Sequence, residues 1–199
     1  MSLVHPAIPS VASAVPRHPK WTIRAHWLSA LAIGLVFGLG WLRELVDGDA
    51  LRALLLGVHR QVGLLVLLLW VVRLLVRLTH PLAPSTAHEP WVLRWAATAA
   101  HGVLYLVLLA MPLLGWAMTN AQGHELLLLG ALPLPHLVSV DPDLADSLQE
   151  WHERGSWLLL GLVGAHLGAA VWHHWVRRDG VLAAMAPWLQ PRAPRTQQS

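Results

Sequence analysis

WHERGSWLLLGLVGAHLGAAVWHHW, residues 151 to 175, decides the fold. Its only charges, Glu153 and Arg154, stand in the first turn, and from Trp157 to Trp172 the one polar side chain that can ionise is His166. A hydrocarbon core about 30 Å thick needs roughly 20 helical residues, and this stretch supplies them. It also carries two histidines, His152 and His166, fourteen residues apart. At 100° and 1.5 Å per residue, that spacing puts them about 40° apart in azimuth and about 21 Å apart along the axis. One face of one helix therefore bears a histidine near each membrane surface.

Three further stretches are long and apolar enough to cross: Arg24 to Leu45, Leu54 to Val76 and Trp95 to Met118. Runs such as Leu64 to Leu69 are continuously apolar with no strand-like alternation, and lipid admits only helices or closed barrels. The first stretch follows a tail of some twenty residues and has no small-x-small cleavage site after Trp41, so it reads as a span and not a signal peptide. The fold class is all-α, an integral membrane four-helix up-down bundle. Residues 21–188 form the transmembrane domain, between Pro-rich or polar tails, 1–20 and 189–199, expected to be disordered. Segment 80–90 reads as a short loop. Residues 119–150 form a longer connection, a lid whose acidic DPDLADSLQE resembles a helix start capped by Asp141 or Asp143.

Composition agrees. The chain has 199 residues, 55% hydrophobic and only 13% charged, with a mean hydropathy of +0.50, where a soluble domain carries about 25% charged residues. The net charge of +3 comes without basic clusters, which excludes a nucleic-acid partner and leaves the lipid bilayer as the surrounding medium. With no cysteine, the chain has no disulfide, no Cys-ligated cluster and no covalent haem attachment. Basic residues collect in cytoplasmic segments. With the N-terminus inside, the inner segments hold Arg17, Lys20, Arg24, Arg73, Arg77, Arg94, Arg177, Arg178, Arg192 and Arg195, against Arg43, Arg52, Arg60 and Arg154 outside. Both termini are thus expected to be cytoplasmic. Tryptophans 21, 27, 91, 95, 172 and 175 would ring the inner interface, and 41, 116, 151 and 157 the outer one.

Five of the thirteen histidines fall within spans: His26, His59, His101, His152 and His166. An ionisable residue at membrane depth faces the bundle interior and marks a functional site. The competing reading, imidazoles bonding helix to helix as packing glue, weakens when several stand at matched depths. In an up-down bundle His26 lies near the inner surface and His59 near the outer one. Cross-helix pairs follow: His59 with His152 outside and His26 with His166 inside. This arrangement clamps two stacked metalloporphyrins, each with an imidazole on both sides. A bare Zn or Cu ion would want three or four ligands close together.

Glycines 57, 63, 155, 164 and 168 near these histidines suit a flat macrocycle wedged between helices, although small-xxx-small helix packing, as at Gly34 and Gly38, is on its own the readier account of them. His101 has a depth similar to His26, so geometry alone also allows it to pair with His166. Arg60, beside His59, is a candidate propionate partner. Arg73 and Arg77 on the inner half of the second span could meet propionates or lipid headgroups, and Arg73 and His101 are candidate propionate or quinone contacts. His173 and His174 read as solvated helix-end residues before a quinone or proton route.

From about Arg17 to Pro187 the chain resembles the bacterial di-haem cytochrome b561 family. The resemblance rests on AHW at 25 to 27, HRQVG at 59 to 63, HGVLYLVLLAMPLLGW at 101 to 116, the 151 to 175 stretch, and the tail Asp179 to Pro187. It departs from the family at Ala184, where an Arg usually precedes Met185. The resemblance implies two haem b with axial ligands His26, His59, His152 and His166, and leaves His101 as a neighbour. It further implies a protein of the bacterial inner membrane that relays single electrons, since bis-histidine iron has no open site for O2. Similar members are linked to superoxide oxidation with reduction of ubiquinone or another quinone. Others are linked to quinol oxidation or to docking a partner redox protein. A superoxide:quinone oxidoreductase and an electron-transfer subunit joining the quinone pool to a partner both remain open here, as does a structural bundle without cofactor.

Overall fold

A computed structural model describes residues 19–79 and 91–189. Four long helices dominate: α1 (Lys20–Leu45), α2 (Asp49–Thr79), α3 (Trp91–Ala121) and α4 (Pro142–Trp172). Each is long and apolar enough to cross a membrane, with mean hydropathies of 1.6, 2.2, 1.8 and 1.4 over their best windows. Large apolar side chains cover the outside at mid-span; Leu31, Leu68 and Leu106 are 69%, 59% and 66% exposed. A surface this apolar has lipid, not water, as its solvent. Helices close all their backbone hydrogen bonds internally, which hydrocarbon requires. The fold is therefore the all-α membrane bundle.

Local chemistry sets the helix ends. Pro19 precedes α1 with an extended ψ of 143°, since the ring lacks the N–H that a longer helix would need. The α1–α2 connection is only three residues, and Gly48 takes φ +96° to turn it, a conformation that side chains with a Cβ resist. At α4, Asp141 accepts a hydrogen bond from Leu144 N at 3.1 Å while Pro142 opens the helix, the expected cap followed by proline at the first turn. Asp141, rather than Asp143, is thus the cap, and α4 begins nine residues ahead of the expected span at Trp151. At its far end α4 runs into a π-helical turn, His173–Arg177. Arg178 (φ 53°) and Gly180 (φ 79°) reverse the chain there into a short helix α5 (Val181–Met185) and a 3-10 turn (Pro187–Leu189).

Helix α1 packs along α2, and α3 along α4; the two hairpins meet through α2 and α3. Ala32, Val66 and Leu69 form one buried cluster, Val107, Met111 and Leu159 a second, and Leu108 touches both. By contrast α4 makes next to no close backbone approach to α1 or α2 among the described residues. The bundle thus has a tight seam, between α3 and α4, and an open seam, where α4 faces α1 and α2. Both hairpin connections, 46–48 and 122–141, lie at one end, the loop end; Lys20, Thr79, Trp91 and Trp172 mark the other, the terminal end.

The 122–141 connection is ordered by specific bonds. Two short strands, β1 (Leu127–Leu128) and β2 (Leu132–Pro133), pair antiparallel, with Leu128 opposite Leu132. Asn120, fully buried, accepts from Leu137 N at 2.9 Å and donates to His124 O at 3.3 Å. Trp116 turns its indole N–H to Pro135 O at 3.1 Å, so it anchors this connection. The expected tails, apart from Pro19, Lys20 and Leu189, and the loop 80–90 lie outside the described residues, as do Arg17, Arg192 and Arg195 of the orientation count.

Candidate functional site

The histidines meet across the open seam. On α2 and α4, His59 and His152 have ring centroids 6.3 Å apart. On α1 and α4, His26 and His166 are 6.2 Å apart. The first pair stands towards the loop end and the second towards the terminal end, fourteen residues along the same helix. Two imidazoles bonded to one metal ion at about 2.0 Å per metal–nitrogen bond have centroids roughly 6 Å apart. Both spacings fit a metal held between the rings. The seam fits too, because α4 stands off from α1 and α2 where a flat group would have to lie. Among the described residues, no group of three or more His, Cys, Asp or Glu is gathered as a bare ion would need.

His59 Nδ1 lies 3.1 Å from Val36 O on α1. A backbone carbonyl at Nδ1 fixes the ring and its tautomer, leaving Nε2 for a metal. Glycines on the neighbouring helices make room for the rings. A Cβ at Gly115 on α3 would stand 3.3 Å from His152 Cε1, and one at Gly40 on α1 would stand 3.8 Å from His59 Cε1. The glycines beside the histidines in sequence behave differently. A Cβ at Gly57, Gly63, Gly164 or Gly168 would meet nothing within 4 Å, and the same holds for Gly34 and Gly38. Close helix packing therefore does not explain these glycines. Gly155 alone of the expected set admits a neighbour, since its Cβ would fall 2.6 Å from Met111 Sδ.

His101 lies on the tight seam. Its centroid is 5.6 Å from that of His166, the rings nearly perpendicular at 81°, and its Nδ1 stands 2.6 Å from Ala97 O of its own helix. Arg73 and Arg77 lie over the Tyr105 ring at 5.5 and 6.0 Å, and Trp70 donates to Tyr105 O at 2.8 Å. Arg73 is thus placed on the α2–α3 side of the terminal-end pair. At the loop end, Arg60 and Arg43 each bury an Nε with no protein partner, although Arg43 also pairs with Glu44 at 2.9 Å.

Residues 17–188 match the family model of prokaryotic cytochrome b561. The chain belongs to that family. A protein from Yersinia pestis described as "Probable superoxide oxidase CybB" is 28% identical over 173 residues, 85% of this chain and 97% of the relative. Cytochrome b561 homolog 1 of Escherichia coli K12 is 30% identical over 179 residues, covering 86% and 97%. Homolog 2 of the same organism is 30% identical over 165 residues, covering 80% and 86%. This cytochrome b561 is accordingly a transmembrane electron-transfer protein that binds haem b.

Several residues around the histidines escape a reading of motifs. Gln61 of α2 donates to Leu127 O at 2.7 Å and accepts from Leu129 N at 2.9 Å, tying the hairpin to the bundle. Its signal in the sequence is a lone amide two residues after a buried histidine. At the terminal end, His173 Nδ1 is 2.5 Å from Asp179 Oδ2, and Arg177 is 3.7 Å from the same oxygen. The Asp179 carboxyl also accepts from Val181 N at 3.2 Å. Burial alone would raise it, but the His173 bond, the Val181 amide and the nearby Arg177 hold Asp179 below the ordinary 3.8. The segment after Asp179 then docks on α1, where Trp27 donates to Met185 O at 2.8 Å and lies 5.5 Å from Trp188. His173, expected as a solvated helix end, is half-buried in this contact.

Proposed function

We propose that this cytochrome b561 carries two haem b and passes electrons across the bacterial inner membrane from superoxide to a quinone. The observation that carries the reading is the pair of histidine couples, 6.3 and 6.2 Å apart, at opposite ends of one helix. His59 and His152 would hold one haem, His26 and His166 the other. Haem b so held would supply reversible one-electron chemistry.

The chain's own groups do the rest. The Val36 carbonyl orients the His59 ring, and the absence of a side chain at Gly115 leaves room for that of His152. Arg60 and Arg43 put two cations beside His59, each with a buried Nε, where they would neutralise a propionate and draw an anion to the loop end. The likeness to a protein described as a probable superoxide oxidase supports superoxide as that anion. Net chemistry balances when two superoxide anions become two O2 while one quinone takes up two electrons and two protons. The positive-inside count supports a loop end that faces outside and termini in the cytoplasm; the quinone would then be served near His26 and His166, with Arg73 and His101 beside that pair.

A superoxide pulse in a stopped-flow spectrometer tests the reading. Reduction of the haem bands faster than spontaneous dismutation supports it. Haems that stay oxidised, yet are reduced by quinol or by a separate redox protein, would instead make the chain an electron-transfer subunit.

A further inference from the structure

LLLLGALPLP, residues 126 to 135, is as apolar as any span but far too short to cross. It contains no charged residue, and the β1–β2 hairpin occupies most of it. Leu126 is buried against the bundle, whereas Leu129 and Leu132 are 84% and 59% exposed. The tip is held in a demanding shape, with Leu129 at φ 53° and Gly130 at φ 72°. A leucine in the left-handed region is strained, and nothing in water would reward its exposure.

The level of the hairpin explains it. Gln61, which bonds Leu127 and Leu129, lies twelve residues into α2, about 18 Å from its start. It is two residues past His59, hence about 3 Å deeper. Helices α2 and α4 both run from the loop end, and His59 faces His152. Gln61 therefore stands level with Arg154 on α4, between Trp151 and Trp157, which are 60% and 61% exposed. Exposed tryptophans gathered within about 9 Å of depth mark a membrane interface. Trp116, which bonds Pro135 O, lies about 8 Å inside the end of α3 and follows Gly115, whose Cβ would touch the His152 ring, so this arm of the segment too is held near the level of the loop-end histidines. So the hairpin does not stand above the bundle as a lid; it hangs beside the bundle at the aromatic belt.

Backbone at that depth must find partners within the protein. The hairpin does so: the strands pair, Leu134 N donates to Leu126 O at 2.9 Å, Ala131 N donates to Leu128 O at 3.2 Å, and Gln61 satisfies Leu127 O and Leu129 N. We propose that this hairpin is a lipid-seated element whose Leu128, Leu129 and Leu132 lie among acyl chains at the loop-end interface, with Gln61 the residue that lets its backbone enter. The occupant of this exposed face is bilayer lipid because the leucines continue the lipid-facing surface of the helices at the level of their tryptophan belt.

The chain has no cysteine, so single probes can be placed without further change. Leu129→Cys and Leu132→Cys, each labelled with an environment-sensitive fluorophore, are reconstituted with haem into phosphatidylcholine–phosphatidylglycerol vesicles; Asp146→Cys, exposed on the first turns of α4, is the aqueous reference. Emission is read relative to the same protein without quencher. Probes at 129 and 132 should lose most of their emission to a nitroxide placed high on the acyl chain and little to aqueous cobalt, with the reverse at 146. Adding Gln61→Leu should move the 129 probe towards cobalt quenching while the haem spectrum is retained. If that variant loses haem, the 132 probe in the otherwise unchanged chain decides alone. Quenching by cobalt at 129 and 132 as complete as at 146 overturns the proposal. Protection from both quenchers, as a second copy or a partner protein covering the face would give, overturns it equally.

Discussion

His166 faces two histidines, with the His26 centroid 6.2 Å away across the open seam and the His101 centroid 5.6 Å away across the tight one. Distance alone would favour His101. Packing favours His26, because α3 and α4 lie against each other, whereas α1 and α4 stand apart and leave room for a flat macrocycle.

The ligand assignment follows from that contrast. In a redox titration, His152→Ala should remove the component belonging to the loop-end haem, and His166→Ala the one belonging to the terminal end. His101→Ala should retain both. A His101→Ala protein that loses a low-spin haem while His26→Ala does not would reverse the pairing.

The ring pocket of His152 gives a steric prediction. A side chain at Gly115 meets His152 Cε1 at 3.3 Å already at its Cβ, so Gly115→Val should tilt the ring away and cost up to one haem per chain. Leu106→Ala, on the exposed apolar surface, should leave haem content unchanged. Equal losses in both variants would show that the pocket is not specific.

Long-range charge opposes superoxide capture at the loop end, where Glu44, Asp47, Asp49, Asp143, Asp146, Glu150 and Glu153 outnumber the arginines. Arg60 and Arg43 act at shorter range, within a screening length of about 8 to 10 Å. If local attraction wins, haem reduction by superoxide slows as salt is added, and Arg60→Gln slows it further at unchanged haem content. Rates that rise with salt would show that the acidic surroundings dominate.

The Asp179 contact makes a pH prediction. Its carboxyl is held below the ordinary 3.8, so its contribution to docking the 180–189 segment is present above that value. It is lost as pH falls through the lowered one. Both side chains of the His173 pair are about one-fifth exposed, 22% and 21%, and a pair so placed contributes on the order of 1 kcal/mol. At neutral pH, Asp179→Asn should therefore speed hydrogen exchange at Ala184 and Ala186 by up to roughly fivefold. Unchanged exchange would mean that the Trp27 contacts alone hold the segment.

Much of this was legible in the sequence because a membrane simplifies the problem. Apolar runs of the right length read directly as helices, and the fourteen-residue spacing of His152 and His166 fixes their shared face without a structure. Cross-helix neighbours carry no such period. Gly40 and Gly115 sit on helices other than those of the rings they border, and no spacing links them to His59 or His152. The same holds for Gln61 and Leu129, sixty-eight residues apart, and for the π-helical turn that sets His173 on Asp179. Arg60 follows His59 directly in the sequence, but the burial of its Nε depends on how α1 and α2 close.

The central claim, two haems held by four histidines, meets its most direct test in a pyridine haemochrome assay against protein concentration on the purified chain. The account predicts two haem b per chain, all extracted by acid acetone since no cysteine can bind them covalently. One haem per chain, or none, would contradict it.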